Sequence, residues 1–245
     1  MRVSVEVCCT SLAEAIAADQ AGADSVEMCS WLACGGITPS LGLVAEVRHR
    51  VRAGVRVLIR ATPNGFVYEE GEKHAMLRDV DAFGRIPGVG LVVGALDEEG
   101  DVDRGFMDEV LLRASGRELT FHRAIDTVRD PLAVMASCKG LGLQRVLSSG
   151  ARRTATEGID VLRDMVKHAG ELTIAAAGGV SPENAVGIVQ RTGVREVHLS
   201  AQRNIANEAP ALPLNHIHQE MSFAYGPDPQ KIEGVLQALR SAGMR

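Results

Sequence analysis

The stretch VSVEVCCTSLAEAIAADQAGADSVEMC, residues 3–29, contains one complete unit of the pattern that decides the fold. An apolar run at 3–8 (VSVEVC) precedes a helical segment starting at Ser11, with Glu14 three residues later, and a second apolar run follows at 25–29 (SVEMC). A serine with an acid three residues later is a common start signal of a helix. The stretch therefore predicts a strand, a helix and a second strand.

The same alternation continues along the rest of the chain. Further strand-like runs lie at 55–60, 90–96, 118–123, 145–149, 172–177 and 196–200, which makes eight in all. Further helix starts are predicted at Thr154 with Glu157, and at Asp130-Pro131, Ser181-Pro182 and Asp228-Pro229. Eight strand-then-helix units without a linker favour a (β/α)8 barrel over a doubly wound sheet. We predict an α/β protein in which residues 1–245 form a single TIM-barrel domain.

Composition and charge limit the classes of molecule that this protein is expected to bind. Hydrophobic residues make up 46% of the chain, which excludes a disordered protein, and 26 basic against 31 acidic residues argue against a nucleic-acid or anionic membrane surface. No run reaches the roughly 18 apolar residues of a membrane span, and the first apolar run leaves no room for a signal peptide. The five cysteines include no CxxC pair, which indicates reduced thiols. We expect a cytoplasmic protein without nucleic-acid or membrane partners, while a homo-oligomer stays open.

The first two strands end in the same E-x-C pattern, and functional groups of a TIM barrel lie at such strand ends. The two copies are Glu6-Val7-Cys8 and Glu27-Met28-Cys29. Alternation along a strand directs the two central apolar residues outward and the glutamates and cysteines into the barrel. In similar register, the carboxylates and thiols would lie about 5 Å apart, with Arg60 as their cation. The alternative is a structural ion pair with two small buried thiols.

Later strand ends are also polar or rich in glycine. They supply His122, Arg123, Asp126, Ser149, Gly178, Gly179 and His198. The set predicts a site in which Glu6 or Glu27 and His122 act as acid and base. Arg60 and Arg123 would hold an anion there, and Asp126 would orient a neighbouring side chain. The serine and the glycine pair are candidate anion contacts. For His122 the alternative is a hydrogen-bonded core histidine, and His216 and His218 are interpreted as a solvated loop pair.

Taken together, the strand-end motifs resemble those of the CutC family of copper homeostasis proteins. They are VEVC at 5–8, VEMC at 26–29, GGITPS at 35–40, LIR at 58–60, TFHRAID at 120–126, LSSG at 147–150 and HLSA at 198–201. The resemblance runs from residue 3 to residue 201 and implies a cytoplasmic TIM barrel that handles copper, with Cys8 and Cys29 as copper(I) ligands. At 61–65 this chain has ATPNG where the family has Pro-Arg-Gly-Gly-Asp, so the family's second arginine is missing.

Three functions remain open from the sequence. Copper(I) is a soft ion that selects thiolates, which favours a copper site at Cys8 and Cys29. An enzyme that acts on a small anionic or hydroxylated metabolite would use more of the polar strand ends. A barrel that binds a metabolite or a partner protein without turnover would use the same residues.

Overall fold

The computed structural model describes residues 2–205 and 225–245, in which eight parallel strands form a closed barrel. The strands are β1 (Ser4–Cys9), β2 (Ser25–Met28), β3 (Gly54–Ile59), β4 (Val89–Val93), β5 (Leu119–Phe121), β6 (Arg145–Ser148), β7 (Thr173–Ala177) and β8 (Glu196–Ser200). The α-helices are α1 (Leu12–Ala21), α2 (Leu41–Arg50), α3 (Glu70–Phe83), α4 (Arg104–Ala114), α5 (Pro131–Gly140), α6 (Ile159–Ala169), α7 (Ala185–Thr192) and α8 (Pro229–Ser241). Each strand pairs with its neighbours in sequence, and β1 pairs with β8. The predicted TIM barrel is confirmed.

Short helices and a two-stranded sheet lie in the loops that follow the barrel strands. Two 3-10 helices, Leu32–Cys34 and Arg123–Thr127, follow β2 and β5, and an antiparallel pair is formed by β9 (Gln202–Asn204) and β10 (Tyr225–Pro227). All eight predicted strands are present with bounds shifted by up to three residues. The strand β5 ends early because His122 accepts a hydrogen bond from the backbone N–H of Ala124 and starts the second 3-10 helix.

The helix starts are confirmed in three of the five places with a capping signal, namely Ser11, Asp130 and Asp228. The starts predicted at Thr154 and Ser181 are wrong, because α6 begins at Ile159 and α7 at Ala185. In both places a side-chain hydrogen bond holds a turn ahead of the helix, and at the second the side chain of Asn184 accepts from the backbone N–H of Ser181 at 2.8 Å. The hydroxyl of Thr154 accepts from the backbone N–H of Glu157 at 3.3 Å, which holds a turn ahead of the helix.

The barrel strands separate an apolar core, which lies between strands and helices, from a more polar space inside the barrel. As predicted, Val7 and Met28 point outward and are fully buried in the apolar core that includes residues of the helices. Inside the barrel the apolar clusters are small: one contains Cys8, Cys29, Leu58 and Val92, and the other contains Leu147, Ala175 and Ala177. The remaining interior space holds polar side chains, which build the site described next.

Adjacent strands are staggered in this barrel. The pairing of β1 with β2 sets Glu6 beside Ser25 and Cys8 beside Glu27. The expectation that the two E-x-C motifs lie level with each other is therefore wrong, since closing a barrel of tilted strands requires such a stagger. Glu6 consequently lies one layer deeper than Glu27, and Cys8 lies at the level of Glu27.

Candidate functional site

The deepest polar layer is a network of buried charges around Glu6, whose side chain is fully buried. Its two oxygens accept from Arg145 and Arg56, each at 2.5 Å, and Arg145 also donates to Glu196 at 2.6 Å. Arg60 makes no ion pair with either strand-end glutamate among the described residues, so the predicted pairing is wrong. The cations are Arg56 and Arg145, which project inward from β3 and β6.

This network reaches the mouth of the barrel through His198. Burial alone would raise the pKa of Glu6, but Arg145, with His198 and Arg56, lowers it well below the usual value. The Nδ1 atom of His198 lies 2.9 Å from Glu6 Oε1. Burial disfavours the charged imidazolium, yet the carboxylates of Glu27 and Glu6 outweigh this effect and raise the pKa of His198. Glu6 therefore fixes the orientation of His198 towards the cavity above it.

A cavity of about 560 Å³ opens at the C-terminal end of the strands. Of the residues predicted for the site, Cys8, Glu27, Arg60, His122, Arg123, Asp126, Gly178, Gly179 and His198 line it. Glu6, Cys29 and Ser149 do not, because they lie deeper in the barrel wall or interior. The lining also includes Phe66, Arg152 and Lys231, which no strand-end pattern pointed to. The cavity therefore lies at the end of the barrel where the site is predicted, and its lining differs from the predicted set of residues.

Three buried polar atoms at this cavity have no hydrogen-bond partner among the described residues. They are Glu27 Oε2, Arg60 Nε and His122 Nε2. Buried polar groups are almost always hydrogen-bonded in folded proteins, and leaving one without a partner costs roughly 1–3 kcal/mol. Three such atoms around one cavity therefore indicate a place for a polar occupant.

Packing and hydrogen bonding define the state of His122. Its ring lies 4.9 Å from the ring of Phe66, and its Nδ1 accepts from the Ala124 N–H at 3.2 Å. Burial, together with the nearby charge of Arg60, lowers the pKa of His122 to about 3. A Cβ at Gly94 would lie 2.7 Å from Nδ1, so only glycine leaves room for this ring position.

Arg60 is held by the loops that follow β2 and β3. Its guanidinium donates to the carbonyl oxygens of Gly36 at 2.9 Å, Pro63 at 3.0 Å and Cys34 at 3.2 Å. The same group lies 4.8 Å from the centre of the Phe66 ring. Arg60 is thus fixed in one position, and its Nε atom has no hydrogen-bond partner among the described residues.

Arg123 and Asp126 form a rigid unit beside the cavity. Asp126 accepts from Arg123 Nε at 2.8 Å, from the Ser148 hydroxyl at 2.6 Å and from the Ser149 N–H at 2.9 Å. Ser149 is fully buried, and its hydroxyl bonds Arg123, Asp126 and the Arg152 carbonyl. The predicted role of Ser149 as an anion contact is therefore wrong, because its donors already hold the aspartate.

The two strand-end thiols touch. The Sγ atoms of Cys8 and Cys29 are 3.4 Å apart, and Cys8 Sγ is 4.0 Å from Glu27 Oε1. Cys29 is fully buried behind Cys8, so its expected place at the mouth is corrected. A ligand atom from each of Cys8, Glu27 and His198 lies within 4.8 Å of the other two, a grouping that could hold a metal ion. The hydrogen bond to Cys29, together with burial, raises the pKa of Cys8 well above its usual value.

The remaining predictions concern glycines and the last loop. Gly178 and Gly179 adopt positive φ angles of 94° and 69° and line the cavity, but α7 begins only at Ala185. Their role as anion contacts stays a prediction. His216 and His218 lie outside the described residues. Within residues 2–205 and 225–245, no helix is long and apolar enough to cross a membrane.

Comparison with solved structures supports the barrel. Phosphoribosylanthranilate isomerase from Thermotoga maritima superposes with a TM-score of 0.60 over 98% of this chain and 99% of its own, at 12% sequence identity. Such a low identity shows the shared fold alone. A candidate copper homeostasis protein CutC from Streptococcus agalactiae is more similar, with a TM-score of 0.77 and 30% identity over 80% of this chain and 98% of its own.

Sequence comparison identifies the family. A CutC protein of Xanthomonas axonopodis pv. citri is 39% identical over 98% of this chain and 100% of its own length. Another, from Photobacterium profundum, is 37% identical over 82% of this chain and 83% of its own. The model of the CutC family matches residues 3–203, which include all eight barrel strands. The chain therefore belongs to the CutC family.

Proposed function

We propose that the barrel mouth binds a small anionic or hydroxylated metabolite and that Glu27 and His122 carry out acid–base chemistry on it. One observation carries this proposal: three of the side chains that line one cavity of about 560 Å³ have a buried polar atom without a partner among the described residues. A metabolite with several oxygens would supply the missing partners. The volume lies within the range of roughly 300–1,000 Å³ that is typical of small-molecule sites.

The charges around the cavity favour an anionic ligand. Among the described residues, Arg60 is fixed with its Nε atom unpartnered, and Arg152 and Lys231 line the cavity without an ion pair. Glu27 has no cationic partner in an ion pair there either, and burial raises its pKa. A raised pKa keeps a glutamic acid able to give and take protons closer to neutral pH. His198, held by Glu6, is a further proton donor at the same wall.

Binding is tested by thermal unfolding with a panel of small carboxylates and sugar phosphates. A ligand at about 100 times its Kd stabilises a protein by about 2.7 kcal/mol, which corresponds to a rise in Tm of about 5–11 °C for a chain of this size. We expect Arg60→Met to abolish the rise. Arg113→Met is the matched control, because Arg113 pairs with Asp81 on the surface. A panel without any Arg60-dependent rise would contradict the proposal.

Copper(I) binding is a second candidate, and the contact between Cys8 and Cys29 favours it. The S. agalactiae relative is described as a candidate copper homeostasis protein, and two thiols 3.4 Å apart can bind one soft ion after small movements. Both protons must leave on binding, since the thiolate is the ligand. This role would place the protein in the cytoplasm, where its five free cysteines stay reduced.

Anaerobic titration with copper(I) against a competing chelator tests the copper proposal. We expect one copper ion per chain and a large loss of affinity in the double variant Cys8→Ser, Cys29→Ser. Cys138→Ser is the matched control, because Cys138 is a buried free thiol in α5, outside the cavity lining. Equal affinities of the double variant and the wild type would refute thiol-based binding.

A further inference from the structure

We propose that the ligand of this cavity is a small carbonyl compound with an anionic group, whose carbonyl oxygen accepts from His122 Nε2 and whose neighbouring carbon loses a proton to Glu27. This inference rests on the metabolite site proposed above and assigns its substrate class. The geometry that carries it is a neutral donor and an unpaired carboxylate oxygen on two residues that line the same cavity.

The tautomer of His122 follows from one hydrogen bond. The backbone N–H of Ala124 points at Nδ1 across 3.2 Å, and a backbone N–H can only donate. Nδ1 must therefore present its lone pair, and a neutral imidazole then carries its proton on Nε2. That Nε2 atom is buried at the cavity and has no partner among the described residues. The Nε2–H group of His122 can therefore donate a hydrogen bond to a ligand.

The surroundings keep this donor neutral. An imidazolium would place a proton on Nδ1 against the Ala124 N–H, and the guanidinium of Arg60 repels a positive ring. The ring is also packed against Phe66, which holds its direction. A preorganised donor of this kind stabilises the negative charge that develops on a carbonyl oxygen when the adjacent carbon is deprotonated.

Among residues 2–205 and 225–245, Glu27 is the one carboxylate at the cavity available to accept that proton. Asp126 lines the same cavity, but its oxygens are occupied by Arg123 and by the hydroxyl and amide donors of the loop after β6. The deeper Glu6 is bound by two arginines. Glycoside hydrolysis commonly needs two free carboxyl groups, and this cavity offers one among the described residues. A single base opposite a neutral donor instead fits enolisation.

The proposed step balances without a cofactor. The C–H bond beside the carbonyl breaks, its electron pair forms the carbon–carbon double bond, and the carbonyl π pair moves to the oxygen that His122 stabilises. The proton is held on Glu27, where it can exchange with solvent, and a proton returns to the same carbon as the carbonyl π bond forms again. The anionic group of the substrate is placed by the Arg60 Nε donor and the cations at the rim, Arg152 and Lys231.

Hydrogen exchange in D2O tests this step with two probes, dihydroxyacetone phosphate and pyruvate, followed by proton NMR. We expect the wild type to exchange the carbon-bound protons of at least one probe. Glu27→Gln and His122→Phe should each lower the rate by about 100-fold or more, and His122→Gln should fall between because it keeps a donor. Identical purification of all variants controls for contaminating host enzymes, and equal exchange by all of them would overturn the inference.

Two further readouts separate this inference from the proposed function. If a probe binds in an Arg60-dependent way and neither probe exchanges, the enolisation step is refuted and the metabolite site stands. If neither probe binds or exchanges, the carbonyl class is refuted, and the wider thermal-unfolding panel still decides the metabolite site. Nitrogen NMR of the His122 ring at neutral pH gives a direct check. We expect protonated Nε2 and bare Nδ1, and a proton on Nδ1 would overturn the assignment.

Discussion

Replacing Arg145 by methionine should destabilise the protein strongly, because this arginine neutralises the charge at the centre of the barrel. Its side chain is only 1% exposed and donates to both Glu6 and Glu196. Methionine has a similar length but no charge, so the variant leaves two buried carboxylates with Arg56 as the remaining arginine in contact with them. The perturbation therefore removes one charge with little change in packing volume.

The magnitude follows from the burial of this group. Removing one partner of a buried ion pair costs about 3–5 kcal/mol, because the other charge stays buried without compensation. For a chain of this length that loss lowers Tm by about 6–20 °C. The matched control is Arg113→Met, whose arginine pairs with Asp81 while 37% exposed. Exposed pairs contribute about 0–1 kcal/mol, so the control should unfold close to the wild type.

The assay is urea unfolding at neutral pH and again at acidic pH. A glutamate whose folded pKa is lowered, as that of Glu6 is, stabilises the fold above its unfolded pKa of about 4.3. That contribution is lost as the pH falls through the folded pKa. The difference between wild type and Arg145→Met should therefore be full at neutral pH and shrink below about pH 4. Equal unfolding midpoints of Arg145→Met and Arg113→Met at neutral pH would refute the reasoning.

Two glycine variants probe the walls of the cavity. Gly36→Ala should cost about 1–3 kcal/mol in urea unfolding, because its φ is +90° and a Cβ would lie 2.8 Å from Leu58; Gly42→Ala, with nothing within 4 Å, is the control and should not be destabilised. Gly94→Ala should displace the ring of His122, since the new Cβ would lie 2.7 Å from Nδ1. We expect this variant to lose the ligand-dependent rise in Tm, and an unchanged rise would show that the ring position is unimportant.

The sequence predicts the fold and the end of the barrel at which the candidate site lies. The same alternation rule also accounts for the buried charge network, although the strand-end patterns do not include it. Arg56 lies two residues before Leu58 and four before Arg60, so the alternation that directs Arg60 inward also directs Arg56 inward. The same rule places Glu196 on the face of His198. The strand-end patterns do not include Arg56 and Glu196, because both lie near the beginnings of their strands, deeper in the barrel.

Other features depend on contacts between residues that are far apart in the sequence, which no local pattern encodes. Ser149 ends a strand as an anion contact would, yet its donors are taken by Asp126, which lies 23 residues earlier. Cys29 is hidden behind Cys8 because the loop at Gly36 covers it, and that loop is held by Arg60 from the next strand. By contrast, the tautomer of His122 is set by Ala124, only two residues away.

The two E-x-C motifs show how barrel geometry gives one pattern two roles. If β1 and β2 were level, Glu6 and Glu27 would share the same cations and the same depth. The stagger instead sets Glu6 among Arg56 and Arg145, where its charge is fully compensated, and leaves Glu27 beside Cys8 with one oxygen unpartnered. A compensated carboxylate is a poor base and a good structural anchor, whereas an uncompensated one at a cavity can exchange protons with a ligand. Strand register, rather than local sequence, therefore decides which of the two glutamates keeps an unpartnered oxygen.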